Sequence, residues 1–310
     1  MVSPQAEQVR DQYKNVIGPR YRAILEAPLE TRRTQFETLM SRTELPPDVE
    51  IEEVEAGGVS CEWVRIARGA QEPSPRTILY LHSGGFMMGS ARADRILSAA
   101  LSRISGRAVL SVNFRLAPEH PFPAALEDAM AAYRWLLTRG RAPGSLILAG
   151  FSVGGGLALA SLVALRDAGD PLPTGAILLS SVTDWAASGV SHSTNIEREL
   201  LNTPAILTEM RTCYLGERDP RTPLASPLYA DLHGLPPLLI QVGSDELSRD
   251  DSTQVAERAR AAGVPVTLHI GEGMWHGWHL AAARTPFPEG QVAFEQIGDF
   301  ADQLSRNVPS

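Results

Sequence analysis

The segment Leu146-Ile147-Leu148-Ala149-Gly150-Phe151-Ser152-Val153-Gly154-Gly155-Gly156 sets one serine among small residues, with an apolar run before it and a helical one after. A strand-to-helix turn tight enough to lift a hydroxyl above a sheet tolerates only small neighbours, which G-x-S-x-G supplies. The following helix would add free backbone N–H groups and the positive end of its dipole beside Ser152. Such a turn can also hold a serine that merely caps its helix. The apolar strand on one side and the small-residue helix on the other favour a nucleophile. A hydroxyl attacks a carbonyl only when a base takes its proton, so Ser152 requires a histidine and an orienting carboxylate.

Later strand ends offer both. The run 238–242 ends in Gly243-Ser244-Asp245, and the run 266–270 leads into Gly271-Glu272-Gly273-Met274-Trp275-His276-Gly277. The order Ser152, Asp245, His276 at successive strand ends is the order this chemistry uses on a parallel sheet. Among the seven histidines His279 is the near competitor for the base, and it falls on the helix side. Asp250 and Asp251 rival Asp245, but they sit where a helix begins and suit its N-terminal dipole. The tetrahedral oxyanion needs donors. His82-Ser83-Gly84-Gly85-Phe86, directly after Thr77–Leu81, supplies a backbone that can aim N–H groups inward, although glycines there would also make a plain turn.

Other chemistries are poorly served. His276 and His279 have a ligand-like spacing, but no third ligand accompanies them and no metal is expected. No phosphate-cradling loop or dinucleotide fingerprint is present, so no cofactor is expected. Serine in the elbow disfavours the aspartate-nucleophile hydrolases, such as dehalogenases and epoxide hydrolases.

The elements that must position these residues form an α/β pattern. An alternating run at 62–67 reads as a strand, and short continuous β-rich runs at Thr77–Leu81, Ala108–Val112, 146–149, 176–179, 238–242 and 266–270 suit strands buried on both faces. Helical patterns at 96–104, 124–137, 155–165 and 254–262, with a final stripe of Phe294, Ile297, Phe300, Ala301 and Leu304, alternate with them. Residues 1–45 read as two amphipathic surface helices, interrupted at Pro19, with Phe36, Leu39 and Met40 on one face of the second. Between the strands an insertion at 185–225 carries weak helices at 195–201 and 206–210, placed where a lid would cover the strand ends. Its apolar residues Ile196, Leu200, Leu201, Ile206, Leu207 and Met210 either pack under that surface or line an acyl pocket. The division expected is 1–45 and 185–225 as cap segments, with 46–184 and 226–310 as the catalytic domain. The tail from Arg306 reads as frayed.

Three phrases together resemble the hormone-sensitive lipase family, the microbial family IV carboxylesterases of the α/β-hydrolase fold. They are His82-Ser83-Gly84-Gly85, Gly150-Phe151-Ser152-Val153-Gly154-Gly155 and Asn113-Phe114-Arg115-Leu116-Ala117-Pro118-Glu119-His120-Pro121-Phe122-Pro123-Ala124. The N-terminal arm and Leu235-Pro236-Pro237-Leu238-Leu239-Ile240-Gln241-Val242-Gly243 resemble the branch that includes monoterpene ε-lactone hydrolases. The resemblance implies an eight-stranded, mostly parallel sheet with a helical cap. It implies Ser152 as nucleophile, His276 as base, Asp245 as orienting acid and the N–H groups of Gly84, Gly85 and Val153 as the oxyanion hole. The substrates implied are small hydrophobic esters or lactones, cleaved through an acyl-enzyme. An amidase or carbamate hydrolase would use the same triad. Non-catalytic plant gibberellin receptors resemble the family but lack the histidine, which is present here as His276. Three departures stand out: Ser83 replaces the first glycine of H-G-G-G, Phe151 replaces an acid before the nucleophile, and Asp245-Glu246-Leu247 replaces Asp-Pro-Leu.

Composition bounds the setting. With 310 residues, 44% hydrophobic and 21% charged, the chain can bury a large core, and a disordered or fibrous chain is excluded. A net charge of −8 repels nucleic acid and anionic membranes, so neither is expected as a partner. No apolar run nears the roughly 20 residues of a membrane span, and the first residues lack the apolar core of a signal peptide. Two cysteines, Cys61 and Cys213, suit reduced thiols in a cytoplasmic protein. Family relatives often dimerise, so a homodimer is a further expectation. A phosphonate ester is expected to label a single serine, recovered by mass spectrometry on the peptide containing Ser152. Labelling at another serine with loss of activity would remove the elbow assignment.

Overall fold

A computed structural model describes residues 2–67 and 76–306; of the tail expected to fray from Arg306, Arg306 ends a regular helix that begins at Pro288, and 307–310 lie outside the described residues. Eight strands form one sheet: β1 (Val49–Ala56), β2 (Val59–Ile66), β3 (Thr77–Leu81), β4 (Ala108–Val112), β5 (Leu146–Phe151), β6 (Gly175–Leu179), β7 (Leu238–Gly243) and β8 (Val266–Gly271). Their order is β1-β2-β4-β3-β5-β6-β7-β8. The first two pairings, β1 with β2 and β2 with β4, are antiparallel, and the rest are parallel.

Burial explains which strands the residue pattern announces. Strands β3 to β7 are buried throughout, so they read as unbroken apolar runs. Strand β8, expected to be buried on both faces, is an edge strand in which only Gly271 is buried, and β1 at the opposite edge escapes the apolar signal because Glu50, Glu52, Glu53 and Glu55 of its eight residues are exposed. The register aligns the functional ends: Leu81 of β3 pairs with Gly150 of β5, and Gly243 of β7 pairs with Gly271 of β8. The loops after these strands therefore open on one side of the sheet.

Helices cover both faces and the strand ends. Pro19 does not interrupt the N-terminal helices as expected. The chain passes from Pro4–Gln12 through a wider π turn at Tyr13–Ile17 into Gly18–Leu25. A π turn carries its hydrogen bonds one residue further, which accommodates a proline lacking an N–H in the first turn of the next helix. The weak helix expected over 195–201 is also absent: a single turn, Ser191–Thr194, precedes irregular backbone, and the regular helix is Pro204–Leu215. That stretch trades helical bonds for contacts to the loop after β7, as Asn195 shows below. Cys61 is buried, with its thiol pushed up to about 12 by desolvation, while Cys213 is only partly buried.

The helix Val153–Asp167 lies hard against the sheet because Gly154, Gly155 and Gly156 in its first turn carry no side chains. A Cβ on Gly154 would fall on the backbone carbonyls of Leu81 and His82. Gly154→Ala is therefore expected to push the helix off β3, destabilising the protein by roughly 2–4 kcal/mol in urea unfolding. It should also abolish phosphonate labelling of Ser152. A variant as stable and reactive as the parent would show that the close approach is not required.

Candidate active site

Ser152 occupies the turn between β5 and the helix with φ 61° and ψ −122°, a conformation that a residue with a side chain adopts at a cost of about 1–3 kcal/mol. Neighbouring backbone holds it there. The Ser152 N–H donates to Leu179 O at 2.9 Å, and its carbonyl accepts from Val182 N–H at 3.1 Å and Gly155 N–H at 3.1 Å. Its hydroxyl stands 3.0 Å from His276 Nε2. The imidazole of His276 is buried, and Phe151 stacks beside it with ring centroids 5.4 Å apart. The residue that replaces an acid before the nucleophile thus serves as an apolar wall for the base.

The carboxylate on His276 is not Asp245. Glu246 Oε2 lies 2.9 Å from His276 Nδ1, and Glu246 is fully buried. Its other oxygen, Oε1, accepts from Ser180 Oγ and from Gly243 N–H, both at 2.6 Å. Those two donors anchor the carboxylate under the histidine. Asp245 points the other way, and its Oδ2 lies 2.6 Å from Arg10 Nη1 on the first helix. Two acids are adjacent in the turn after β7, so their side chains leave it in different directions, and the longer one folds back beneath His276. The rival acids are engaged elsewhere. Asp250 accepts from Ser191 N–H at 2.9 Å, and Asp251 takes His192 Nε2 at 2.8 Å and Thr183 N–H at 3.0 Å.

The histidines separate cleanly. Burial opposes protonation of His276, but the hydrogen bond and charge of Glu246, helped by the charge of Glu199, outweigh it and raise its pKa above the usual histidine value. His279 instead bonds Gln241 Oε1 through Nε2 at 3.1 Å, and burial drives its pKa well below that value. It stays a neutral core residue. Among the described residues no group of three or more His, Cys, Asp or Glu could hold a metal ion.

The glycine loop after β3 faces Ser152. Gly84 and Gly85 have φ of 115° and 68°, and Ser83, at the first glycine position, is not in the left-handed region. A serine therefore fits there without strain, and its side chain has work: Ser83 N–H and Oγ bond the two oxygens of buried Asp94 at 2.9 and 3.1 Å. Asp94 also accepts from Tyr80 Oη at 2.9 Å, so it ties β3 to the loop. The phrase after β4 braces the loop from below: Phe114 stacks on His82 with centroids 4.0 Å apart, and Ala117 N–H donates to Phe86 O at 2.8 Å. Among the described residues, the N–H groups of Gly84, Gly85 and Val153 have no backbone acceptor. These residues line one pocket with Ser152 and His276.

That pocket is small and roofed. Its free space is about 50 Å³, by a measure on which a single water needs about 10–15 Å³. Tyr13, Tyr21 and Phe36 reach it from the N-terminal helices, and Leu201, Leu207 and Met210 from the insertion. Of the apolar residues left open by the sequence, Leu200 and Ile206 pack into the core and Ile196 is exposed.

The sequence profile of the α/β-hydrolase fold matches residues 78–280. A crystal structure of an esterase from the bacterial hormone-sensitive lipase family superposes with a TM-score of 0.88 at 39% identity, covering 98% of this chain and 99% of that one. The chain belongs to the hormone-sensitive lipase family of α/β-hydrolases. Within the family it is 49% identical to an acetyl-hydrolase of Streptomyces hygroscopicus, over 80% of this chain and 81% of that protein. It is 34% identical to an esterase of Acinetobacter venetianus, over 83% and 84% of the two chains. No helix among the described residues is long and apolar enough to cross a membrane.

The geometry separates two substitutions that the sequence alone does not. Glu246→Gln is expected to lower kcat by about 10²–10⁴-fold, since a neutral amide neither fixes the reactive tautomer nor stabilises the imidazolium. A raised His276 pKa places the acid limb of kcat/KM above pH ~6.5, and removing the Glu246 charge should move that limb down. Asp245→Asn should leave the acid on His276 in place and cost much less. A pH–rate profile of both variants checks this, and the reverse ranking would return the orienting role to Asp245.

Proposed function

We propose that the protein is a serine carboxylesterase that cleaves small, short-to-medium acyl esters or lactones through an acyl-enzyme. The observation that carries the proposal is the continuous relay Ser152 Oγ to His276 Nε2, and His276 Nδ1 to Glu246, at 3.0 and 2.9 Å beneath a largely apolar roof. His276 Nδ1–H donates to Glu246, which leaves Nε2 free to take the Ser152 proton as Oγ attacks the ester carbonyl. The free N–H groups of Gly84, Gly85 and Val153 stabilise the oxyanion. His276 then protonates the departing alcohol, and a water activated by the same nitrogen releases the acid. Membership of an esterase family supports this chemistry, and the names of the relatives above agree with it.

Substrate size follows from the roof. Each buried methylene gains about 0.8 kcal/mol until the acyl chain meets a wall. Here the segments 1–45 and 185–225 act as the cap that provides it. We expect kcat/KM to peak with acyl chains of about two to eight carbons and to fall steeply by sixteen, without activation at a lipid interface. Leu207 and Val182 also line a second cavity of about 320 Å³ on the far side of that wall. Leu207→Ala should join the two spaces and move the optimum to longer acyl chains. An acyl-length series of p-nitrophenyl esters on parent and variant tests both statements, and a parent optimum at sixteen carbons would remove the short-acyl assignment.

A further inference from the structure

We propose that Arg10 and Asn195, one from each segment that roofs the pocket, are positioning residues that hold the loop 244–247 so that Glu246 meets His276. The inference rests on the serine-esterase reading above. That loop is gripped from outside the sheet at every residue. Asn195 Nδ2 donates to the carbonyls of Ser244 at 2.9 Å and Glu246 at 2.8 Å. Arg10 Nη1 lies 2.6 Å from the Asp245 carboxylate and also donates to Gly273 O, so it joins the acid loop to the histidine loop. Leu247 donates its N–H to Glu199 at 3.3 Å, and its carbonyl accepts from Ser191 Oγ at 2.6 Å.

The residue types fit that task. Asn195 is buried, and its neutral amide offers two N–H donors to two carbonyls, of which that of Glu246 also accepts from Arg249 N–H at a longer 3.3 Å. The Arg10–Asp245 pair is partly buried, with side chains 25% and 11% exposed, so it is screened less than a surface pair. Besides the Ser180 and Gly243 bonds that hold the Glu246 carboxylate, other ties of the loop include Ser244 N–H to Gly271 O at 2.9 Å, Asp245 N–H to Met274 O at 3.1 Å, and Ser244 Oγ accepting Gly273 N–H at 2.9 Å. These fix the acid loop to the histidine loop, and the cap fixes both in space. A displacement of about 1 Å in such machinery can cost about 10²-fold in rate.

The test compares Arg10→Ala, Arg10→Lys and Asn195→Ala with the parent, using p-nitrophenyl acetate and p-nitrophenyl octanoate. Glu7→Gln, at an exposed position of the same helix as Arg10, is the control. Expected is a fall in kcat of about 10–100-fold for both esters with KM nearly unchanged, and partial recovery in Arg10→Lys, which keeps the charge. The acid limb of the pH profile should also move down as Glu246 drifts from His276. The other titratable and charged groups around that imidazole are Glu199, His279 and, across the pocket, Tyr13, Tyr21 and Arg284. Circular-dichroism melts establish that each variant is folded, and if Asn195→Ala does not fold, Arg10→Ala and Arg10→Lys carry the test. A loss confined to KM that grows with acyl length would make these residues roof only and overturn the inference. An unchanged kcat, or a reduced kcat with an unmoved acid limb, would overturn it as well. A parent protein inert toward both esters would overturn the esterase reading itself, which is a different failure.

Discussion

The left-handed backbone at Ser152 is the constraint from which the rest of the site follows. A serine held at φ 61° relaxes unless the chain on both sides denies it room, and here the denial is made of backbone. Leu179 at the end of β6 and Val182 beyond it grasp its amide and carbonyl, while the glycine-rich first turn of Val153–Asp167 presses against the end of β3. The parallel register then brings the loops after β3, β7 and β8 to the same height. The hydroxyl carried on that backbone lies 3.0 Å from His276 Nε2.

Charge is handled around this point with economy of contact. Glu246 is buried, yet Ser180, Gly243 and His276 satisfy its two oxygens, so the penalty of taking a carboxylate from water is met by hydrogen bonds of good geometry. Asp94 plays the same structural part on the opposite side, where Tyr80 and Ser83 bond it and no base is involved. Two buried acids thus stiffen the two halves of the site, one beneath the histidine and one beneath the glycine loop after β3.

Much of this was legible in the residues alone. The buried parallel strands announce themselves as apolar runs, and Ser152 and His276 follow from their places in the turns after strand ends. The edge strand β1 does not, because exposed glutamates erase the apolar signal that marks a buried strand. Nor does the choice between Asp245 and Glu246. Position relative to a strand resolves a site to a residue or two, and which of two neighbouring carboxylates turns inward is decided by partners distant in sequence: Arg10 for one, Ser180 for the other. Asn195 was hidden for the same reason, since a run read as weak helix carries no mark of the carbonyls that its side chain bridges.

The two roofing segments touch the pocket with one set of side chains and the acid loop with another. Inheritance acts on both at once. A change at Leu207 or Met210 alters what the enzyme accepts and leaves the relay alone, so such positions are free to drift as substrates change. A change at Arg10 or Asn195 is screened on every turnover, whatever the substrate. A roof transplanted from a relative would bring a new substrate range together with a new grip on the acid loop, and only grafts that preserve that grip would yield a working hybrid.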